Sequence, residues 1–189
     1  GKQTQSFRHV SSSTYGGIVA IIYAEAHLTA TKPKPKESDS VKLSHCRYGR
    51  MMYFPHDTFI GASLDKYGEY NKAEADFLCA ATPQGAFVVE VGANIGTHTV
   101  PMAQKIGPKG HLLAFEPQRV LHMMLCGNLA LNALWNVTAE RVALGSEKGT
   151  ILVPPVDYAQ PGNFGAVEMS KAEGEPVSLI ALDDYNLPA

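Results

Sequence analysis

The sequence predicts an α/β fold in which helices flank a parallel sheet. Three short runs of apolar and β-branched residues have the length of buried strands, at residues 87–91, 111–115 and 138–144. Segments with apolar residues at helical spacing separate these runs, so strands and helices alternate along the chain. That alternation predicts parallel strands joined by right-handed crossovers.

Length and composition limit the function classes. The 189 residues suit one domain with a sizeable core, and the formal net charge of −2 offers no basic surface for nucleic acid. No stretch of the sequence is long and apolar enough to predict a membrane span. The three cysteines, Cys46, Cys79 and Cys126, lack the spacing of a metal or redox site. Their apolar surroundings predict buried, reduced thiols in a cytoplasmic protein.

The first part of the chain, residues 1–40, is interpreted as an N-terminal appendage and linker. Residues 17–30 are apolar and faintly resemble a signal peptide, but Glu25 and His27 favour a strand or helix that packs on the domain. Residues 31–40 are charged and rich in proline, which is typical of a linker.

Residues 41–70 are predicted to form a β-hairpin lead-in. Two short strands are expected on either side of Gly49, and residues 65–70 are expected to form a loop. Asn71 then has the position of a helix cap, with Glu74 three residues later. This helix opens the domain predicted for residues 71–189.

A potential ligand cradle follows the 87–91 strand. Glu90 lies near the carboxyl end of that strand, Gly92, Asn94 and Gly96 follow within a few residues, and a helix is expected to begin near Thr97. Glycine allows close approach of a ligand to the backbone, and a helix start offers unpaired N–H groups. A plain strand–turn–helix unit without a ligand is the alternative interpretation.

The spacing of this turn distinguishes between two nucleoside ligands. A dinucleotide fingerprint requires G-x-G-x-x-G, and here Asn94 stands where the middle glycine would be. Glu116 closes the next strand, where a carboxylate can bind both ribose hydroxyls of a nucleoside. The pattern therefore favours S-adenosylmethionine over NAD as the ligand, and an NAD-binding oxidoreductase is the distant alternative.

The remaining elements continue the alternation. Pro117 is expected to begin a long helix, and residues 149–153 and 177–182 are two further strand candidates. The segment between these strands, residues 154–176, is too long for a simple connection.

Several motifs together resemble FkbM-type methyltransferases. The strings are EVGANIG at residues 90–96, AFEPQ at 114–118, NLALN at 128–132 and VALG at 142–145, with further similarity at 59–70, 163–165 and 182–184. The family often has Asp where this chain has Glu90. The resemblance implies a Rossmann-like class I methyltransferase that uses S-adenosylmethionine and usually methylates oxygen. It also implies that the chain contains the N-terminal half of the usual seven-stranded sheet, with a truncation near Ala189.

The resemblance and the residue pattern give a set of candidate site residues. Glu116 is assigned to the ribose, Glu90 to the methionine ammonium, and Asn94 and Thr97 to the methionine carboxylate or the loop backbone. Leu144 and Gly145 end the third strand, where adenine usually lies in this fold. The complete set of expected cofactor-binding residues is Tyr70, Glu90, Gly92, Asn94, Gly96, Thr97, Glu116, Pro117, Leu144 and Gly145.

Three other side chains have open interpretations. His98 is a candidate catalytic base because imidazole titrates near neutrality, although an exposed histidine on the first helical turn is the favoured alternative. Asn163 is a candidate substrate contact. Asn128 is interpreted as a surface or capping residue. No metal site is predicted.

Two functions remain open at this stage. The first is O-methylation of a sugar or secondary metabolite, with a small molecule or glycan as the acceptor. The second is a non-catalytic Rossmann-like remnant that binds a nucleoside or only oligomerises. The free edge of the 87–91 strand is expected to be covered by residues 17–24, by residues 177–182 or by a second copy in a homodimer.

Overall fold

The structure, a computed structural model, describes residues 40–169, 173–185 and 187. The appendage expected for residues 1–40, including the 17–24 segment, lies outside this part of the chain except for Ser40.

A three-stranded parallel sheet carries the ends of the predicted cradle. The strands β3 (Phe87–Val91), β4 (His111–Phe115) and β5 (Val137–Glu140) pair in that order. The helices α3 (Thr99–Ile106) and α4 (Arg119–Leu131) provide the two crossovers, as expected from the alternation of elements. The register places Val91 opposite Phe115 and Phe115 opposite Glu140, so the carboxyl ends of all three strands meet at one edge.

The third predicted strand is divided between two sheets. β5 ends at Glu140, and β6 (Ala143–Leu144) pairs in parallel with β8 (Glu175–Ile180) in a separate sheet. β8 also pairs antiparallel with β7 (Gly149–Val153). The expectation that residues 177–182 cover the edge of β3 is therefore wrong, because β7 and β6 occupy both edges of β8. Within the described residues, β3 pairs only with β4.

The lead-in begins with the expected antiparallel hairpin, formed by β1 (Lys42–Cys46) and β2 (Gly49–Tyr53). The loop expected at residues 65–70 is wrong for residues 65–67, because α1 covers Ile60–Tyr67, and is confirmed for residues 68–70. Asp57 starts this helix: its Oδ1 accepts from the N–H groups of Phe59 at 2.8 Å and Ile60 at 3.0 Å. Buried Ile60 and Leu64, four residues apart, then attach the helix to the core.

The next helix, α2, covers Lys72–Ala81 and begins after Asn71, as predicted. The capping chemistry differs, because the Asn71 side chain makes no hydrogen bond to the helix backbone and its amide donates to the carboxylate of Glu74. Asn71 itself has a left-handed backbone with φ of 43°.

Asn128 on α4 and Asn132, the residue that follows α4, bind the free edge of β2. Asn128 accepts from the Met52 N–H at 2.6 Å and donates to the Met52 carbonyl at 3.0 Å. Asn132 accepts from the Arg50 N–H at 2.9 Å and donates to the Arg50 carbonyl at 2.7 Å. The geometry matches because four residues of a helix rise about 6 Å, close to the span of about 6.6 Å for two residues of a strand. These two amides replace a third strand beside the hairpin.

Asn128 also reaches the glycine turn, since its amide donates to the Ile95 carbonyl at 2.8 Å. Its exposure is 0%, so its interpretation as a surface or capping residue is wrong. The helix and the strand approach closely here, because a Cβ on Gly127 would lie 2.2 Å from Met52 Cε and would require the Met52 side chain to move.

The main hydrophobic core lies between the parallel sheet, α3, α4 and β2. None of the described helices is both long and apolar enough to cross a bilayer. All three cysteines are free, and Cys126 is exposed, so the expectation of burial is wrong for that thiol.

Candidate functional site

The turn after β3 depends on left-handed backbone at alternate positions. Gly92, Asn94 and Gly96 have φ of 79°, 53° and 90°. Asparagine is one of the few residue types that adopt this conformation with a small cost, and the Asn94 Oδ1 supports it by accepting from the Ile95 N–H at 2.8 Å. The turn is held to β4 by the N–H groups of Gly92 and Ala93, which both donate to the Phe115 carbonyl.

Glu116, one residue past β4, is tied to this turn. One carboxylate oxygen accepts from the Asn94 N–H and the other from the Gln118 N–H, both at 2.9 Å. The residue is only 4% exposed, so its carboxylate is shielded from solvent, and both of its oxygens already accept a hydrogen bond. Burial raises the pKa of this carboxyl, and the two backbone donors act in the opposite direction.

Glu90 is the second carboxylate at this edge of the sheet. Its Oε2 accepts from the Thr99 hydroxyl at 2.6 Å, which joins the end of β3 to the first turn of α3. Burial raises the pKa of Glu90 from 4.5 to about 7, and the Thr99 hydrogen bond only partly offsets this rise. A partner with a positive charge would favour the ionised form of this carboxyl.

A cavity of about 330 Å³ opens beside the turn and is called here the Glu90 cavity. Seven of the residues singled out in the sequence line it: Tyr70, Glu90, Gly92, Asn94, Thr97, His98 and Asn163. Sequence reasoning did not assign its other lining residues to the site, namely Phe59, Ile60, Glu74, Ala93, Gly165 and Ala166. Of these, Gly165 belongs to the stretch already noted at 163–165, and Phe59 and Ile60 belong to the stretch noted at 59–70. Glu74 is at the cavity through the packing of α2.

His98 lies in the wall of this cavity and is not the exposed histidine favoured from the sequence. Its side chain is 16% exposed, and its Nε2 is 3.9 Å from Glu74 Oε2. That nitrogen is buried and has no hydrogen-bond partner among the described residues. Burial lowers the pKa of His98, and Glu74 counteracts this effect, so the ring is mainly neutral at pH 7. A neutral imidazole can accept a proton.

Five of the expected cofactor-binding residues do not line the Glu90 cavity: Gly96, Glu116, Pro117, Leu144 and Gly145. Gly96 is needed for packing, because a Cβ there would lie 2.8 Å from Leu125 Cδ1. Leu144 and Gly145 belong to the second sheet, where the Gly145 N–H donates to the Ile180 carbonyl at 2.9 Å. The cofactor roles of all ten expected residues stay predictions.

A second cavity, of about 520 Å³, lies beside the start of α4 and is called here the Gln118 cavity. Its walls combine apolar side chains with a few polar ones, from Gln118 to Val120, Val153 to Val156, Tyr158 and Glu173 to Glu175. Gln118 is 3% exposed, and its Oε1 has no hydrogen-bond partner among the described residues. Across all the residues that the structure describes, no cluster of three or more His, Cys, Asp or Glu residues has the geometry to hold a metal ion.

Comparison with known proteins shows sequence similarity to methyltransferases. Methyltransferase sdnD of Sordaria araneosa is 37% identical over 126 residues, which cover 59% of this chain and 47% of that protein. Methyltransferase 1 of Beauveria bassiana (strain ARSEF 2860) is 34% identical over 85 residues, which cover 44% of this chain and 33% of that protein. The chain thus spans half the length of these relatives or less.

No protein-family model matches the chain, so the FkbM-type assignment stays a prediction. Among solved structures, M. jannaschii TYW2 in complex with AdoMet superposes with a TM-score of 0.41 at 24% identity, covering 56% of this chain and 44% of that one. A TM-score below 0.5 is too low to support a functional comparison.

Proposed function

We propose that this chain forms the cofactor-binding part of an S-adenosylmethionine-dependent methyltransferase. The observation that carries the proposal is a pair of carboxylates, the half-buried Glu90 and the buried Glu116, at the ends of neighbouring parallel strands on either side of a left-handed turn. Ligands of open α/β sheets bind at this edge. The similarity to two methyltransferases supports the choice of cofactor.

The residues present fit such a cofactor. Glu90 provides the negative charge for the methionine ammonium, and Thr97 and Asn94 provide polar groups for its carboxylate. Gly92 leaves the space beside the turn open, since an added Cβ would meet no atom within 4 Å. Glu116 is the ribose ligand. When bound, the cofactor would supply a methyl group attached to a positively charged sulfur. That sulfur would be the leaving group and would become a neutral thioether.

The protein has two tasks in this reaction. The Glu90 cavity aligns the acceptor with the methyl group, because an activated donor needs mainly positioning. His98 is the group in that cavity that can remove a proton from an acceptor hydroxyl, since its buried Nε2 has no partner among the described residues. Because His98 can take up this proton, we propose oxygen as the methylated atom. We also propose a sugar or secondary metabolite as the acceptor and the cytoplasm as the location.

A binding experiment on Glu116 tests the proposal. The Glu116→Ala variant should bind S-adenosylhomocysteine more weakly by about 1–3 kcal/mol, because two ribose hydroxyls lose their acceptor. Isothermal titration calorimetry measures the change, and the melting temperature reports whether the variant is folded. Glu147→Ala, which removes an exposed carboxylate outside both cavities, is the matched control.

NAD serves as the competing ligand in the same experiment. S-adenosylhomocysteine should raise the melting temperature of the wild-type protein at concentrations where NAD does not. Stabilisation by NAD alone, or equal affinity of the Glu116→Ala and Glu147→Ala variants, would contradict the proposed function.

A further inference from the structure

The expected ribose ligand is enclosed by a segment of the chain. Glu116 is 4% exposed and lines neither the Glu90 cavity nor the Gln118 cavity. The segment that encloses it is residues 154–166, called here the strap, which follows β7. A nucleoside cannot reach a carboxylate that is this deeply buried while the strap keeps its position.

The strap contacts both residues that hold Glu116 in place. The Phe164 carbonyl accepts from the side-chain amide of Gln118 at 3.0 Å. Gly165 packs so closely on Asn94 that an added Cβ would lie 2.4 Å from the Asn94 Nδ2. Since the N–H groups of Asn94 and Gln118 bind the two carboxylate oxygens, the strap spans the position of Glu116 from one side to the other.

The same segment forms a wall of both cavities. Asn163, Gly165 and Ala166 line the Glu90 cavity, whereas residues 154–156 and Tyr158 line the Gln118 cavity. Displacing the strap would therefore join the two cavities across Glu116.

We propose that the strap is a gate, and that it must open before a nucleoside ligand binds. This inference rests on the proposed function, because it takes Glu116 as the ribose ligand and Glu90 as the ligand of the amino-acid end. In the closed state the two cavities are separate and Glu116 is covered. In the open state one cleft runs from the Glu90 cavity past Glu116 to the Gln118 cavity.

The attachments of the strap suit a segment that opens locally. Within the described residues the strap belongs to no helix or named strand. A single isolated β-bridge, between Asp57 and Gly162, pairs it with the rest of the described chain. The Thr58 N–H donates to the Gly162 carbonyl at 2.9 Å, and the Gly162 N–H donates to the His56 carbonyl at 3.1 Å. Segments held by few backbone hydrogen bonds open at lower free energy than the sheet.

Phe164 is the main anchor of the closed state. It is 2% exposed, and its ring centroid lies 5.6 Å from that of Phe54, outside the strap. Within the strap, Tyr158 packs on Phe164 at 4.9 Å and on Phe54 at 4.9 Å, so the three rings form one cluster. Removing this side chain should favour opening and leave the parallel sheet intact.

The gate predicts slow association of S-adenosylhomocysteine. Two proteins that must align specific surfaces commonly associate at about 10⁵ M⁻¹ s⁻¹ or faster, and a small ligand that enters an open site has a smaller orientational constraint. A gated site, in contrast, binds only through its open fraction. We expect the wild-type rate to lie below that value and to reach a plateau at high ligand concentration. The Phe164→Ala variant should bind at least about tenfold faster. Phe77→Ala, which removes an exposed ring on α2, should leave the rate unchanged.

Stopped-flow mixing or surface plasmon resonance measures the association rates, and amide hydrogen exchange provides a test that needs no variant. Where exchange is faster than reclosing, so that each opening leads to exchange, the exchange rate of the Thr58 and Gly162 amides in the free wild-type protein equals the opening rate of the strap. That rate should agree with the plateau of the association rate. A fast association rate that rises linearly with concentration would overturn the gate and leave the proposed function standing. Absence of any binding of S-adenosylhomocysteine would overturn the proposed function and the gate with it.

Discussion

Replacing Glu90 with glutamine should stabilise the protein above pH 7. Burial raises the pKa of Glu90 from 4.5 to about 7, so the folded state holds this proton more tightly than the unfolded state. The contribution of the group to stability is complete below pH 4.5 and is lost as the pH rises through 7. At pH 8 the ionised, buried carboxylate costs about 3 kcal/mol, and a neutral amide that still accepts from Thr99 avoids this cost.

Urea unfolding at several pH values measures this effect. The difference in free energy of unfolding between Glu90→Gln and wild type should be near zero at pH 4.5 and should grow to about 3 kcal/mol at pH 8. Glu147→Gln, at an exposed position, should show no such growth. A difference that does not change with pH would contradict the raised pKa of Glu90.

The same variant should lose affinity for S-adenosylhomocysteine. An ammonium group bound to the ionised carboxylate is worth about 1.5–3 kcal/mol, which corresponds to roughly tenfold to hundredfold weaker binding in Glu90→Gln. In the wild type, affinity should fall as the pH drops below 7, because the ligand then requires deprotonation of Glu90. Calorimetry from pH 5.5 to 8 measures both effects, and affinity independent of pH would contradict the assignment of Glu90 to the ammonium. The variant would thus be more stable and less able to bind.

The second large effect is expected at Asn128. Replacing it with alanine removes three hydrogen bonds and leaves the N–H and carbonyl of Met52 and the carbonyl of Ile95 without partners at a fully buried position. Each buried, unpaired polar group costs about 1–3 kcal/mol, so we expect the free energy of unfolding to fall by about 3–5 kcal/mol.

Asn132→Ala is the matched control, because Asn132 binds Arg50 in the same manner near the exposed end of α4. Water can replace its amide, and the loss should be about 1 kcal/mol. Urea unfolding of the two variants measures the difference. Equal destabilisation would show that the buried contacts of Asn128 do not hold the hairpin to the glycine turn.

The local elements of the site can be predicted from short stretches of the sequence. The strand of residues 87–91, the turn around Asn94 and the helix after it depend on apolar runs, glycine positions and helical spacing, which are properties of neighbouring residues. For the same reason the hairpin at Gly49 and the parallel order of β3, β4 and β5 could be predicted. Glu90 and Glu116 were found because each lies at the end of one of these strands.

Which of these residues share a surface depends on how elements distant in the sequence pack together. The partners of Asn128 lie 76 and 33 residues away along the chain, and the strap residue that binds Gln118 lies 46 residues away. β8 pairs with β6 and β7 instead of β3. His98 is only half-buried, and Glu74 of α2 and the ring of Tyr70 lie against it. Such contacts depend on how elements pack across the core, and residue periodicity within one element carries no information about its distant neighbours.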